Sequence, residues 1–236
     1  MVIDSATDGR IQRGNETRRA VLGRAVQIAS VEGLEALSIG RLATDLGLSK
    51  SGVFASFGSK EELQLATVRA ARRIFHDRVV APVLERPEGV RRLLALCEQW
   101  LEYSRGRVFD GGCFFYEVTA EFDARPGPVR DALAQSALEW EGLVTDLARA
   151  AAAAGELPAG TDPEELAMLL TGLMDSANSL AVLHDDPSRY DRMLRAARRL
   201  LGLPRPEPRP APPWARPVPP VRGAVSLASK LHERSC

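Results

Sequence analysis

The stretch from Leu48 to Leu63, "LSKSGVFASFGSKEEL", gathers four serines, two phenylalanines and two lysines between apolar runs. Lys50, Lys60 and Lys230 are the only lysines in the 236 residues, which otherwise draw their positive charge from arginine. Ser49 can cap a helix that starts at Lys50. Hydroxyls and an ammonium at a helix N-terminus, where the dipole is positive, are groups that bind phosphates and base edges. Gly52 costs roughly 1 kcal/mol relative to Ala in an exposed helix interior, so it fits a place where a backbone must come close to a nucleic acid. The chemistry this stretch offers is recognition.

Catalysis has weaker credentials. Glu117 and Glu121 stand at i, i+4 and could form a carboxylate pair, but His76, His184 and His232 are far apart and outside any ligand-spaced motif. No phosphate-cradling glycine loop or nucleophile motif occurs either, so no enzyme, cofactor or metal is expected. Cys97, Cys113 and Cys236 are odd in number and lie in no CxxC, which argues against a disulfide framework. They read as packing thiols, with Cys113, after Gly111 and Gly112, open as a redox or electrophile sensor. The formal net charge is zero, so a nucleic-acid role must rest on a local patch. The N-terminus has no apolar core for a signal peptide, and no apolar run of the roughly 18 residues a bilayer needs is evident, which predicts a cytoplasmic protein without a membrane partner.

The elements that must position these residues are helices. From Thr17, Leu22, Ala25, Val26 and Ala29 recur with helical spacing until Gly33, and residues 1–14 before them read as a flexible arm. Ser38 precedes a short second helix with Ile39, Leu42, Ala43 and Leu46 on one face and Gly47 at its left-handed C-terminus. The third buries Val53 and Phe57. Ser59 and Glu62 form a capping box that opens a fourth, running to about Pro82. Two short helices joined at Gly47–Leu48 and packed on a preceding one make a helix-turn-helix over residues 15–62. Beyond it, residues 63–203 carry longer amphipathic helices. One has Val90, Leu93, Leu94, Cys97 and Leu101, one follows Pro128, one follows Asp162, and the last follows Asp186–Pro187. From Pro204 nine of the sixteen prolines crowd together, which predicts a disordered tail over 204–236.

The order Ile39, Leu42, Ala43, Gly47, Ser49, Val53, Phe57, Lys60, Leu63 in "LSIGRLATDLGLSKSGVFASFGSKEEL" resembles the DNA-binding domain of the TetR/AcrR family of bacterial transcription regulators. "GGCFFYEVTAEFDARPGPVRD" and "AAAAGELPAGTDPEELAMLLTGLMDSANSL" are similar to the effector-binding and dimerisation domain of one branch of it. The resemblance implies an all-α homodimer on double-stranded operator DNA, in which a small molecule bound by the second domain repositions the reading heads. It places Ser49, Lys50 and Ser51 on bases or phosphates and Lys60 on phosphate. Ser38, Arg41, Gly52, Phe54, Ala55 and Ser56 complete the DNA-facing set. Three of these depart from the family pattern: Phe54 where a tyrosine is common, Ala55 for a larger reader, and Ser56 for a frequent histidine or tyrosine.

In the second domain Trp100, Cys113, Phe114, Tyr116, Trp140 and Met174 supply apolar walls for an effector, with Glu117, Asn178 and Asp175 as polar orienters. Leu170, Met174, Ala177, Ala181, Met193 and Ala197 are expected to pair across a two-fold axis. The function that follows is a ligand-responsive repressor on a palindromic operator, released by a small hydrophobic effector. Two alternatives stand beside it: a helical protein of this fold acting through protein contacts, and a redox sensor working through Cys113.

Overall fold

The computed structural model describes residues 5–204, and these belong to one compact unit. The proline-rich tail lies outside the described residues, as do residues 1–4. The fold is all-helical: α1 Ser5–Glu32, α2 Ile39–Asp45, α3 Lys50–Phe57, α4 Lys60–Phe75, α5 Ala81–Leu84, α6 Val90–Arg105, α7 Phe114–Phe122, α8 Pro128–Ala153, α9 Pro163–Leu183 and α10 Ser188–Leu200. No strand occurs among the described residues.

Helix starts follow the predicted caps. Ser38 Oγ accepts from Arg41 N at 3.1 Å, Ser49 Oγ from Gly52 N at 3.1 Å and Ser59 Oγ from Glu62 N at 3.0 Å. Asp162 Oδ1 takes the amides of Glu164 and Glu165 at 2.8 and 3.2 Å. Each cap satisfies an amide that the first helical turn leaves without a partner. Gly47, at φ +64°, makes the left-handed turn between α2 and α3 that a side chain would strain.

Three boundaries differ from the sequence reading. The first helix begins at Ser5, so residues 5–14, expected as a flexible arm, are helical. They carry little apolar periodicity but continue an anchored helix, and propagation costs far less than nucleation. The fourth helix does not run uniformly to Pro82. Between α4 and α5 the chain widens into a π turn, His76–Val80. Pro82 has no N–H for the Arg78 carbonyl, and Gln99 Nε2 on α6 takes that acceptor at 2.9 Å. The boundary expected between residues 62 and 63 falls inside α4, which serves both head and body.

In the head, α1 packs against α2, α3 and α4 around Val21, Ala25, Leu42, Val53 and Leu63, all fully buried. In the body, α9 packs against both α8 and α10, and α6 touches all three. The six residues expected at a dimer interface, Leu170, Met174, Ala177, Ala181, Met193 and Ala197, are buried within this single chain. Helix α9 has two apolar faces, and periodicity alone does not say which one meets the chain's own core. The outward face carries Met168, Leu169, Gly172, Ser176 and Leu183, with Met168 61% and Leu183 72% exposed. Among the described helices α9 alone is long and apolar enough to cross a membrane by length and composition, because both of its faces are apolar.

Candidate functional site

Helix α3, expected to be the reading helix, presents Lys50, Ser51, Gly52, Phe54 and Ala55 to solvent, while Val53 and Phe57 anchor its other face. Ser49 Oγ is committed to the cap and also accepts from Ser51 Oγ at 3.3 Å. A Cβ at Gly52 would come within 3.0 Å of Ser49 Oγ, so this glycine protects the cap as well as leaving the outer surface clear. Ser56 turns its hydroxyl onto the Gly52 carbonyl at 3.2 Å, which removes it from outward readout. Phe54 is 55% exposed, an aromatic ring held on the outer face. The Lys50 side chain lies over Gly40 of α2, where an added Cβ would sit 3.5 Å from its Cε.

Two other expected DNA contacts are engaged inside the chain. Arg41 forms a fork with the Glu32 carboxylate at 2.7 and 2.6 Å. Lys60 Nζ donates to both the carbonyl and the carboxylate of Glu35, each at 2.8 Å. Lys60, and after it Gln64, hold the Glu35 carboxyl below its usual range. Arg18 of α1 was not singled out from the sequence. Its guanidinium sits 4.5 Å from the centre of the Phe57 ring and donates to the Ser56 carbonyl at the end of α3.

The body holds a cavity of about 880 Å³ walled by α4, the π turn, α6, α7, α8 and α9. Phe75, at the end of α4, is the hub of its aromatic wall. The ring meets Trp140, Tyr103 and Phe115 edge-on at centroid distances of 5.1, 5.3 and 5.7 Å. Of the expected ligand residues, Trp100, Cys113, Tyr116 and Trp140 line the cavity. Phe114 and Met174 are packed in the core behind it, and Glu117 is exposed outside it. Asn178 is buried and committed, its Oδ1 accepting from Ser104 Oγ at 2.8 Å and from Cys113 N at 3.0 Å. Helical spacing groups residues by face, but a core and a cavity wall share the same aromatic composition.

The charges around the cavity are unevenly placed. Arg69, Arg72 and Arg73 of α4 stand at its rim, where Arg72 pairs with Glu139 of α8 and Arg69 reaches Glu62 at 3.9 Å. Asp175 of α9 also lines the cavity; it is exposed, yet the protein around it is enough to push its carboxyl up. Burial pushes the Cys113 thiol up to about 11, so it stays protonated at neutral pH and lacks the thiolate that oxidation and electrophile capture require.

Head and body are joined by contacts that no local pattern foretells. Glu121 on α7 accepts from the amides of Leu34 and Glu35, in the α1–α2 turn, at 2.6 and 2.9 Å. Gln27 of α1 brackets the loop before α7, donating to the Val108 carbonyl at 3.1 Å and accepting from Asp110 N at 2.9 Å. Gly111 lies against the last turn of α1, where an added Cβ would fall 1.8 Å from the Ser30 carbonyl oxygen. Glu121 therefore acts as an anchor for backbone amides, and not as half of a catalytic pair with Glu117.

A head of three packed helices ending in a capped, exposed α3, joined through α4 to a hollow helical body, is the architecture of a helix-turn-helix transcription regulator with a second helical domain. Residues 21–67 match the family described as bacterial regulatory proteins, tetR family, and residues 89–197 match the tetracyclin repressor-like C-terminal domain. The chain belongs to the TetR family. No curated protein is significantly similar to it in sequence. Among solved structures, a TetR regulator from Chloroflexus aurantiacus is 24% identical with a TM-score of 0.72, covering 79% of this chain and 94% of that one. A transcriptional regulator from Saccharomonospora viridis in complex with choline is 23% identical with a TM-score of 0.69, covering 80% and 95%. AibR in complex with isovaleryl coenzyme A and operator DNA is 18% identical with a TM-score of 0.63, covering 78% and 98%. At these identities the likeness is one of fold.

Proposed function

We propose that the protein is a cytoplasmic repressor which binds a palindromic operator as a homodimer and leaves it when a largely apolar small molecule fills the body cavity. The observation that carries this is the placement of α4. It starts at the Ser59 cap directly after α3, and its last residues, Arg69 to Phe75, form a wall of the cavity. A compound pressing on that wall acts on the element that aims the reading helix, and it releases DNA to the extent that it prefers the conformation with wrongly spaced heads. The S. viridis protein with choline and AibR with a coenzyme A thioester and operator DNA support it by likeness of fold. The high pKa of Cys113 disfavours the redox alternative.

The test is selection of bound duplexes from random and genomic fragments, followed by affinity measurements over a range of salt. The expected result is an inverted repeat whose half-sites lie about 34 Å apart or a multiple of that, bound with strong salt dependence. Recovery of no preferred sequence would favour action through protein contacts.

A further inference from the structure

Two carboxylates line the cavity without an ion-pair partner among the described residues, Asp123 and Asp175. Asp175 of α9 faces the space, and no basic group offsets the effect of burial on it. The arginines in the lining do not serve it: Arg72 is held by Glu139, Arg69 leans toward Glu62, and Arg73 makes no ion pair among the described residues, with Asp175 or any other carboxylate. Trp100, Tyr116 and Trp140, whose rings carry negative faces, line the same cavity. Asp175 is exposed through the open cavity, and a ligand that fills the space shuts water out, which strengthens the attraction between the acid and a cation carried by that ligand. The aromatic walls favour a cation that is itself weakly hydrated.

We infer that the cavity takes an organic cation, an alkyl- or aryl-ammonium whose charged end pairs with Asp175 inside the aromatic walls of Trp100, Tyr116 and Trp140. This deepens the proposal that the cavity is the effector site and rests on it only for the consequence at DNA. The rim arginines then border the outer, solvated end of the ligand and do not recognise the charge.

Three probes of similar size test the inference on the full chain without DNA: benzyltrimethylammonium, its uncharged carbon isostere neopentylbenzene, and 3-phenylpropionate. Binding is read by calorimetry and by fluorescence of Trp100 and Trp140. The cation is expected to bind at least about tenfold tighter than the isostere, and Asp175→Asn to remove that advantage while leaving the isostere's affinity unchanged. Retained isostere binding also demonstrates that the variant is folded. Equal binding of the three probes, preference for the acid with loss in Arg73→Gln, or no binding at all would overturn the inference, as would unchanged cation affinity in Asp175→Asn. Cation binding that leaves operator affinity unaltered would sustain this assignment and sink the induction mechanism, so the two fail separately.

Discussion

Burial raises the Asp175 carboxyl above its ordinary range, so the folded protein disfavours its ionised form relative to the unfolded chain. Above the folded pKa the group is charged in both states and the fold bears the cost. Below the unfolded value near 3.8 it is neutral in both, and the cost is gone. Asp175→Asn should therefore raise the melting temperature at neutral pH, by a few degrees at most at roughly 2–4 °C per kcal/mol, and the gain should fade as pH falls below the folded pKa and be gone below the unfolded value. Thermal melts of both proteins across that range decide it, and a gain that persists in acid would mean the carboxyl is not the cause. The two lysines of the head should differ in a similarly specific way. Lys50 makes no ion pair among the described residues, and Lys50→Ala should lower the salt slope of operator binding by about one unit. Lys60 must first leave Glu35, so Lys60→Ala should lower the slope by less, and Glu35→Gln, which removes the charge opposite the ammonium while leaving the bond to the Glu35 carbonyl, should tighten binding. Titrations at several salt concentrations test both. Equal slopes for the two alanine variants would show that the Glu35 pair does not persist. The caps at Ser38, Ser49 and Ser59 were legible because a cap is a local event spanning three residues. Engagement of Lys60 by Glu35 was not, since it joins residues 25 apart in sequence.

At the scale of elements, the number and order of helices follow from apolar spacing, caps and prolines, while their faces do not. Helix α9 illustrates the limit. Its buried positions Leu166, Leu170, Met174, Ala177 and Ala181 and its outward positions Met168, Leu169, Gly172 and Leu183 are both apolar enough to read as a seam. Only contact with α8 and α10 tells them apart. The dimer proposal accordingly moves to the outward face, and two substitutions separate the faces. Leu169→Arg combined with Met168→Glu should give a folded monomer with unchanged helicity, seen by sedimentation. Met174→Arg should instead unfold the chain, since an unpaired charge in a core costs several kcal/mol, much of a typical domain's stability. A dimer that survives the first pair of changes would place the interface elsewhere. The π turn after α4 is a related case: Pro82 announced an interruption, but that Gln99 of α6 would receive the freed Arg78 carbonyl required the packing of two helices 21 residues apart.

On the scale of the whole molecule, the question is how occupancy of the body reaches α3. The structure offers two routes that meet at the α1–α2 turn. One is α4 itself. The other runs from α7, whose Tyr116, Thr119 and Ala120 line the cavity, through Glu121 to the amides of Leu34 and Glu35, and from the Glu35 carboxylate to Lys60 and Gln64 on α4. A ligand that shifts α7 would move the turn that holds the start of α4. Glu121→Gln replaces one accepting oxygen with an amide that cannot accept, which loosens this second route without touching either binding surface. Linkage fixes what should be seen. If benzyltrimethylammonium lowers operator affinity by some factor, operator must lower the affinity for the cation by the same factor, commonly about 5- to 150-fold. In Glu121→Gln both separate affinities should stay close to those of the original protein, and the coupling factor should shrink equally from either side. Fluorescence titrations of the cation with and without operator, matched by operator titrations with and without saturating cation, measure it twice. A variant that keeps the full factor would assign the transmission to α4 alone, and one that loses DNA binding outright would make Glu121 a support of the head with no part in signalling.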